Sequence, residues 1–251
     1  MTRATLVTLK VPTKRNEAYR YSDIDALARV WPVAKETITV AANQNWSHSI
    51  INTVPDDDVF VRHLVITCEA GSRGHLQILN AGGRLGRIVV DVTCHASSDF
   101  TLDAVQLGCG HQTVELVTTV THAEPGATSR QQVRSILSDH ATGSYLGKVA
   151  VARGSNGTDS AQDVKAMLLT RSATANAKPE LEIYADDVKC AHGATVGELD
   201  KDALFYLAAR GIAPPEAKKL LLQAFIASVF EGVEGEGALT AAALAKLGAM
   251  V

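Results

Sequence analysis

Short β-type runs separated by turn residues fill the middle of the chain, residues 36–185, and they constrain the fold more than any other feature. The runs recur about every 12 residues, a spacing typical of folds built from many short strands. They comprise residues 59–67, 75–79, 87–92, 100–107, 113–121, 144–151 and 181–185. Regular short strands bounded by turn signals predict a sandwich, a barrel or a β-solenoid.

Three properties of these runs bear on the choice among those folds. Amphipathic helical segments are nearly absent between the runs, which excludes a sheet built from βαβ crossovers. Hairpin dipeptides are scarce, with Asn156-Gly157 as the one example, and this disfavours a sandwich built from hairpins. Run 100–107 alternates apolar and polar residues, as expected for a stacked β-helix that buries one side of each strand. The residues alone leave the β-helix and the sandwich open.

The N-terminal part of the chain, residues 1–35, predicts one short helix before the strand region, residues 36–197. Ser22 or Asp23 is a candidate N-cap, because short polar side chains accept hydrogen bonds from the first turn. The helix is expected to end before Pro32, since the residue preceding a proline avoids the helical conformation. The first ten residues lack the apolar core and cleavage site of a secretory signal.

The C-terminal part of the chain, residues 198–251, predicts a helical domain. Asp200 is a candidate N-cap, and Pro214 suits the first turn of a second helix. Leu222 and Ile226 widen the apolar face of that second helix. The face either packs on the end of the strand domain as a cap or forms a surface for a partner. The alanine-rich tail predicts a third, frayed helix.

Composition and charge exclude several functional classes. The 251 residues include 24 Lys and Arg against 27 Asp and Glu, a net charge of -3, whereas a dedicated nucleic-acid binder needs a basic surplus. No run approaches the roughly 20 apolar residues of a membrane-spanning helix. Cys68, Cys94, Cys109 and Cys190 are too sparse for a disulfide framework, so the expected compartment is the cytoplasm. Cys68 and Cys94 adjoin predicted strands, and we expect them in the core.

The chain lacks the common catalytic motifs, and its candidate chemistry rests on two pairs of sulfur and imidazole. Residues 143–149 are one residue short of a phosphate-binding loop and predict a glycine turn before a strand. Cys109 with His111, and Cys190 with His192, are two residues apart, a spacing that shares one face of extended backbone. Such groups bind iron or zinc, but two ligands do not complete a tetrahedral site. Three interpretations stay open. The two pairs converge on one metal, another chain supplies the remaining ligands, or each pair has only a structural role.

Residues 178–197 resemble the most specific signature of a known family. The run reads KPELEIYADDVKCAHGATVG, and it resembles the signature of the SufD family of iron–sulfur cluster assembly proteins. Residues 12–23, PTKRNEAYRYSD, are similar to that family's N-terminal motif, with Tyr19 where Trp is common. The resemblance spans about residues 12–232. The chain is shorter than the usual member, and the segment that normally precedes the N-terminal motif is reduced to about eleven residues.

The resemblance implies a right-handed parallel β-helix followed by a small helical domain, and a scaffold subunit that is not an enzyme by itself. Members of the family act in a complex with SufB and the ATPase SufC. The histidine of the family's Cys-x-His-Gly motif lies at the SufB contact and is implicated in cluster assembly. Carried over, that residue is His192, with Cys190 as its neighbour. We therefore expect no cofactor in the isolated chain, and iron or a nascent cluster held transiently at the SufB interface.

The resemblance also implies where the partners bind. The ATPase is expected on the C-terminal helices, whose apolar stripe comprises Leu204, Leu207, Leu221 and Phe225. SufB is expected to pair edge to edge with the β-helix, and an isolated chain could pair with a second copy through the same edge. An alternative to a scaffold subunit is a stand-alone metal-binding protein. It would use Cys109, His111, Cys190 and His192.

Overall fold

Parallel pairing between alternate strands winds the central chain into a solenoid. In the computed structural model, which describes residues 10–250, twelve strands form two six-stranded sheets in which every ladder is parallel. Sheet A contains β1 Lys35–Val40, β3 Val59–Cys68, β5 Leu85–Cys94, β7 Thr113–His122, β9 Thr142–Val151 and β11 Thr174–Ile183. Sheet B contains β2 Asn45–Asn52, β4 Arg73–Asn80, β6 Asp99–Gly108, β8 Thr128–Leu137, β10 Thr158–Leu168 and β12 Val188–Gly197.

Consecutive strands lie in opposite sheets, so two strands complete one coil. Side chains that meet across neighbouring coils are accordingly 26 to 31 residues apart in sequence, about two strand spacings. The parallel ladders confirm the β-helix and exclude the hairpin-built sandwich. The predicted run 181–185 was misplaced, because β11 begins at Thr174 and ends at Ile183.

Some strands were absent from the predicted runs because their inward-facing positions are not apolar. In β8 the inward positions include Ser129 and Gln131, and in β10 they include Ser160 and Gln162, all nearly fully buried. These side chains do not produce the apolar alternation on which the prediction depended. The first coils show the expected pattern, and their interior is filled by residues such as Leu64, Ile66, Leu76, Ile78 and Leu102.

The N-terminal segment packs on the outer face of sheet A. Asp23 caps the helix α1, Ile24–Ala28, with its Oδ1 accepting the Ala26 N–H at 3.0 Å, which confirms the predicted cap. Ala26 and Leu27 are fully buried against Leu85. Residues 1–9 of the predicted N-terminal segment lie outside the described residues.

A buried ion pair fastens this segment to sheet A. Arg87 Nη1 lies 2.6 Å from Glu115 Oε2, and both side chains are 2% exposed. The same guanidinium donates to Ser22 Oγ at 3.0 Å and to the Ala18 carbonyl at 2.7 Å, and it lies 4.3 Å from the centre of the Tyr19 ring. The ion pair therefore joins β5 and β7, and the hydrogen bonds of the Arg87 guanidinium attach the N-terminal segment to both.

Three helices follow the last strand: α2 Lys201–Ala209, α3 Pro214–Phe230 and α4 Glu236–Gly248. Asp200 caps α2 through the N–H groups of Asp202 and Ala203, as predicted, and Pro214 opens α3. Within the described residues the third helix is a regular element of 13 residues rather than a frayed tail. No helix in residues 10–250 combines the length and the hydropathy needed to span a bilayer.

The wide apolar face of α3 is used inside the molecule. Leu222 and Ile226 are buried together with residues of α4 and with Val105, Leu107 and Ile136 of sheet B. Val105 and Leu107 alternate with the inward-facing residues of β6, so α3 and α4 cover the outer face of sheet B. This face is therefore not a partner surface, and it covers the side of the solenoid rather than its end. Because helices and sheet share this core, the division at residue 198 stays a prediction.

Replacing Arg87 with Met should cost about 3–5 kcal/mol of unfolding free energy, because Glu115 would be left buried without a counter-charge. Arg62→Met is the matched control, since the ion pair between Arg62 and Glu36 is much more exposed and should contribute about 0–1 kcal/mol. Urea denaturation followed by circular dichroism measures both values. Adding Glu115→Gln to Arg87→Met should recover part of the loss. Equal costs for the two single variants would contradict the anchoring role.

Candidate functional site

Cys190 and His192 lie together at one open end of the solenoid. Both belong to β12, an edge strand of sheet B, and they pair in register with Ser160 and Gln162 of β10. Since Ser160 and Gln162 face the interior and are each 2% exposed, Cys190 and His192 face the same interior. No further coil covers them among residues 10–250, so His192 is exposed and Cys190 is half-buried. The condition of extended backbone, under which the two side chains share a face, is met for this pair.

The surroundings of Cys190 favour its neutral thiol. Partial burial raises the pKa of Cys190 above the ordinary value, and the nearby Asp159 carboxylate raises it further. The backbone N–H of Ser160 acts in the opposite direction because it stabilises the thiolate. The isolated chain therefore holds Cys190 mainly protonated at neutral pH. A metal or another positive group brought to this end would favour the thiolate.

A polar interior lies directly behind His192. Gln162 donates from Nε2 to the Tyr145 hydroxyl at 2.9 Å, and Tyr145 donates to Gln131 Oε1 at 3.0 Å. Thr118 Oγ1 also donates to Gln131 Oε1, at 2.8 Å. Burial raises the pKa of Tyr145 to about 12, so its hydroxyl stays protonated and remains a donor. The interior thus changes from apolar in the first coils to polar in the coils that precede the open end.

The rim of the open end presents apolar side chains to solvent. Ile183 of β11 and Val196 of β12 occupy inward-facing columns, yet they are 39% and 49% exposed. Both strands are the last in their sheets, so each leaves one row of backbone N–H and C=O groups unpaired within the described chain. The open end therefore exposes side chains typical of a solenoid interior, because no further coil covers them in the described chain.

Cys109 and His111 lie elsewhere and in a different conformation. They occupy the turn between β6 and β7, where Gly110 has φ +58, so the extended backbone that a shared face requires is not present in this pair. The His111 ring stacks on His140 of the next coil, with ring centres 5.1 Å apart. No group of three or more metal-ligand side chains occurs in the part of the chain that the structure describes. The four-residue metal site of the alternative hypothesis is therefore not formed.

The remaining cysteines are structural. Cys68 and Cys94 are fully buried, as predicted, and pair in register on β3 and β5. Their inward column continues to His122, which is also fully buried and bonds through Nε2 to Ser129 Oγ at 2.9 Å.

An apolar groove between α2 and α3 is the second surface of interest. It is lined by Leu204, Phe205, Ala208, Pro214, Pro215 and the stem of Lys218. No residue of α2 is buried, and Phe205 is 76% exposed. Leu207 and Leu221 are half-buried. Phe225 packs against the apolar residues between α3 and sheet B, with its ring 5.9 Å from the Arg134 guanidinium.

Sequence reasoning missed Gln162, Val196 and Phe205. The alternation of β12 continues from Cys190 through His192 to Val196, and that period of two was the signal that could have identified Val196. Nothing in the local sequence relates Gln162 to His192, because they are 30 residues apart and meet only through the register of β10 and β12.

Comparison with known proteins identifies relatives over most of the chain. Residues 21–225 match a family model described as SUF system FeS cluster assembly, SufBD core domain. The chain is similar to the iron–sulfur cluster assembly protein SufD of Escherichia coli, with 31% identity over 222 residues that cover 88% of this chain and 52% of the relative. It is also similar to the chloroplastic protein ABCI7 of Arabidopsis thaliana, with 33% identity over 197 residues that cover 77% of this chain and 41% of the relative.

A SufBD family protein of Synechocystis is 32% identical over 163 residues, which cover 64% of this chain and 36% of the relative. The chain thus spans about half the length, or less, of these curated relatives.

Alkylation with iodoacetamide should modify Cys190 slowly at neutral pH, and its rate should continue to rise above pH about 8.5, the ordinary thiol pKa. Asp159→Asn should speed the reaction at a fixed pH, because the lost charge lowers the pKa of Cys190. Asp163→Asn, on the same strand, is the control. Peptide mass spectrometry separates the four cysteines, and native Cys68 and Cys94 should stay unmodified. Unchanged kinetics for Asp159→Asn would contradict the electrostatic assignment.

Proposed function

Because the chain belongs to the SufBD family of the SUF system of iron–sulfur cluster assembly, we propose that it is a non-catalytic scaffold subunit that supplies half of an assembly site. The other half comes from a SufB-like subunit, and a SufC-like ATPase binds the C-terminal helices. The observation that carries the proposal is the placement of Cys190 and His192 at an uncovered end of the solenoid. Iron or a nascent cluster is the cargo of this site.

The donor set of the site fits a shared binding position. A thiolate and an imidazole are ligands that iron and iron–sulfur clusters accept, but four donors are usual. Cys190 and His192 supply two donors on one face of β12, and no other metal-ligand group completes a set of three among residues 10–250. A second subunit that covers the open end would bring further donors to the same place. The high pKa of Cys190 would then fall as the metal binds.

The open end is suited to a second β-solenoid. Unpaired backbone groups on β11 and β12 provide the hydrogen bonds of an added strand, and Ile183 and Val196 provide apolar contact. A solenoid docked here would continue both sheets and bury His192. The same edge would let an isolated chain pair with a second copy, so a homodimer is the expected form when no SufB-like subunit is present.

The groove between α2 and α3 is suited to the ATPase. Helix α2 exposes Phe205 and Tyr206, at 76% and 56%, and rests on few internal contacts, as expected for an element that a partner covers. Helix α3 begins at the groove with Pro214 and ends buried against sheet B with Phe230, a length of about 25 Å. A rigid helix of this length can transmit closure of the ATPase to the solenoid and shift the interface at its open end.

His192→Ala should strongly reduce iron–sulfur cluster formation while the complex with the SufB-like and SufC-like subunits still assembles. The reason is that the variant removes a ligand without removing the apolar rim. His140→Ala, another exposed histidine, is the matched control and should leave cluster yield unchanged. The measurements are size-exclusion chromatography with mass determination and the visible absorbance of the reconstituted cluster. Normal cluster yield from His192→Ala would refute the assembly role.

Two charge insertions should separate the partner surfaces, and each serves as the control for the other. Val196→Asp should weaken retention of the SufB-like subunit by at least tenfold and leave the ATPase bound, because a carboxylate would be buried at the open end. Phe205→Asp should have the opposite pattern. Both side chains are exposed, so the unfolding midpoint should change little. Co-purification of the co-expressed subunits gives the result.

If both variants kept both partners, the proposed surfaces would be wrong. If the unaltered, well-folded chain failed to retain either partner, the scaffold function itself would be refuted.

A further inference from the structure

Cys68 and Cys94 are neighbouring thiols in the interior of the solenoid. Cys68 ends β3 and Cys94 ends β5, and the two residues pair in register in sheet A. Both side chains are fully buried, so they face the same interior from adjacent coils. Cys109 lies in a turn and Cys190 on the last strand of sheet B, so neither has a cysteine opposite it. Cys68 and Cys94 are therefore the cysteines that the register brings together.

The backbone spacing of this pair suits a disulfide bond. Neighbouring strands of a sheet are about 4.8 Å apart, and the Cα atoms of bonded cysteines are usually about 4.4–6.8 Å apart. Parallel pairing in register directs both Cβ atoms to the same face, so neither strand must turn over to bring the sulfurs together. The two thiols already interact, because Cys94 acts on the Cys68 sulfur as a hydrogen-bond donor. The fold thus holds two free thiols at the spacing of a bonded pair.

The two thiols differ in acidity. The hydrogen bond from Cys94 is the largest influence on Cys68 and lowers its pKa, although burial acts in the opposite direction. The Ser72 hydroxyl also lowers the pKa of Cys68, because a donated proton stabilises the thiolate. The contact with Cys68, together with burial, raises the pKa of Cys94. Cys68 is therefore the thiol that ionises first, while Cys94 stays protonated beside it.

The pair lies next to the surface turns of the solenoid, although neither thiol is exposed. Each cysteine is the last residue of its strand, and Ala70 and Ser97 in the turns that follow are exposed. Local opening of a turn needs less free energy than unfolding of the core, and it would admit a molecule as small as hydrogen peroxide. The same burial hinders iodoacetamide, which is larger. A place in the core is thus compatible with sensitivity to a small oxidant.

We propose that Cys68 and Cys94 are an oxidation site at which hydrogen peroxide forms a disulfide between β3 and β5. The Cys68 thiolate attacks one peroxide oxygen, the O–O bond breaks, and hydroxide leaves and takes up the thiol proton as water. Cys68 is then a sulfenic acid. The Cys94 sulfur attacks the Cys68 sulfur, the S–O bond breaks, and the hydroxyl group leaves with the Cys94 proton as a second water. Two thiols lose two electrons, and the peroxide gains them. The disulfide joins two coils covalently and protects Cys68 from irreversible oxidation.

The first test uses the unaltered, reduced chain without partners or metal. The folded chain is treated with hydrogen peroxide, the remaining thiols are blocked with N-ethylmaleimide in denaturant, and the peptides are identified by mass spectrometry. Cleavage before aspartate residues separates Cys94 from Cys109. The expected product is a pair of linked peptides that carry Cys68 and Cys94, with the loss of two hydrogen atoms. Dithiothreitol should reverse the link, and a non-reducing gel should show that it lies within one chain.

This first test also defines the result that would overturn the proposal. Circular dichroism before and after treatment verifies that the chain stays folded. If Cys68 and Cys94 remained free thiols at a peroxide dose that oxidised the partly exposed Cys109 and Cys190 completely, the oxidation site would be refuted. A disulfide from Cys68 to either of those cysteines would refute it equally.

The second test assigns the roles of the two thiols. Cys94→Ser should accumulate sulfenic acid at Cys68, which dimedone traps, whereas Cys68→Ser should leave Cys94 unoxidised at the same dose. Ser72→Ala should slow disulfide formation several-fold, because it removes a donor to the Cys68 thiolate. Ser155→Ala is the matched control, since Ser155 is also fully buried with an unpaired hydroxyl.

The outcomes of the second test are distinct. Sulfenic acid at Cys94 in Cys68→Ser, with none at Cys68 in Cys94→Ser, would overturn the assignment of Cys68 as the attacking thiol. Equal rates in Ser72→Ala and Ser155→Ala would overturn the role of Ser72. Alanine replaces serine in any cysteine variant that does not fold, and the first test needs no variant.

Discussion

Register between parallel coils is the constraint on which the rest of this structure depends. Each inner coil pairs its backbone with the coils before and after it, and the ladders fix which residues lie opposite each other. A shift of one residue would turn every inward side chain outward. The alignment therefore creates columns of side chains along the solenoid, such as Leu76, Leu102, Gln131, Gln162 and His192. Residues far apart in sequence become neighbours within such a column.

The same constraint explains why the candidate site lies where the solenoid ends. Inside the stack, an inward-facing polar side chain is covered by the next coil and finds its partners among other inward-facing groups, as the Tyr145 hydroxyl does when it donates to Gln131 Oε1. At β12 the columns continue but the covering coil is missing from the described chain, so Cys190 and His192 retain unused donor atoms. The exposed apolar rim has the same origin. A ligand pair and a docking surface thus arise together from one uncovered coil.

Local signals predicted the parts of this structure that depend on local physics. Asp200 was identified as an N-cap, and Asp23 as one of two candidates with Ser22, because capping is decided within one turn. Strands such as β6 were identified by their alternation. The prediction failed where distant contacts decide. Strands β8 and β10 carry polar inward residues that only the interior network satisfies. The apolar face of α3 could not be assigned to sheet B, because sequence does not report which surface a helix covers.

The sequence by itself determined the family, the repeated strands and the pairing of Cys190 with His192, because motifs and alternation are properties of neighbouring residues. Only the tertiary structure decided which of these features act together. It separated Cys109 and His111 from the pair on β12, since Cys109 and His111 lie in a turn with Gly110 in the left-handed region rather than on extended backbone. It placed Gln162 beside His192, because register across coils, rather than proximity in the chain, decides which side chains meet.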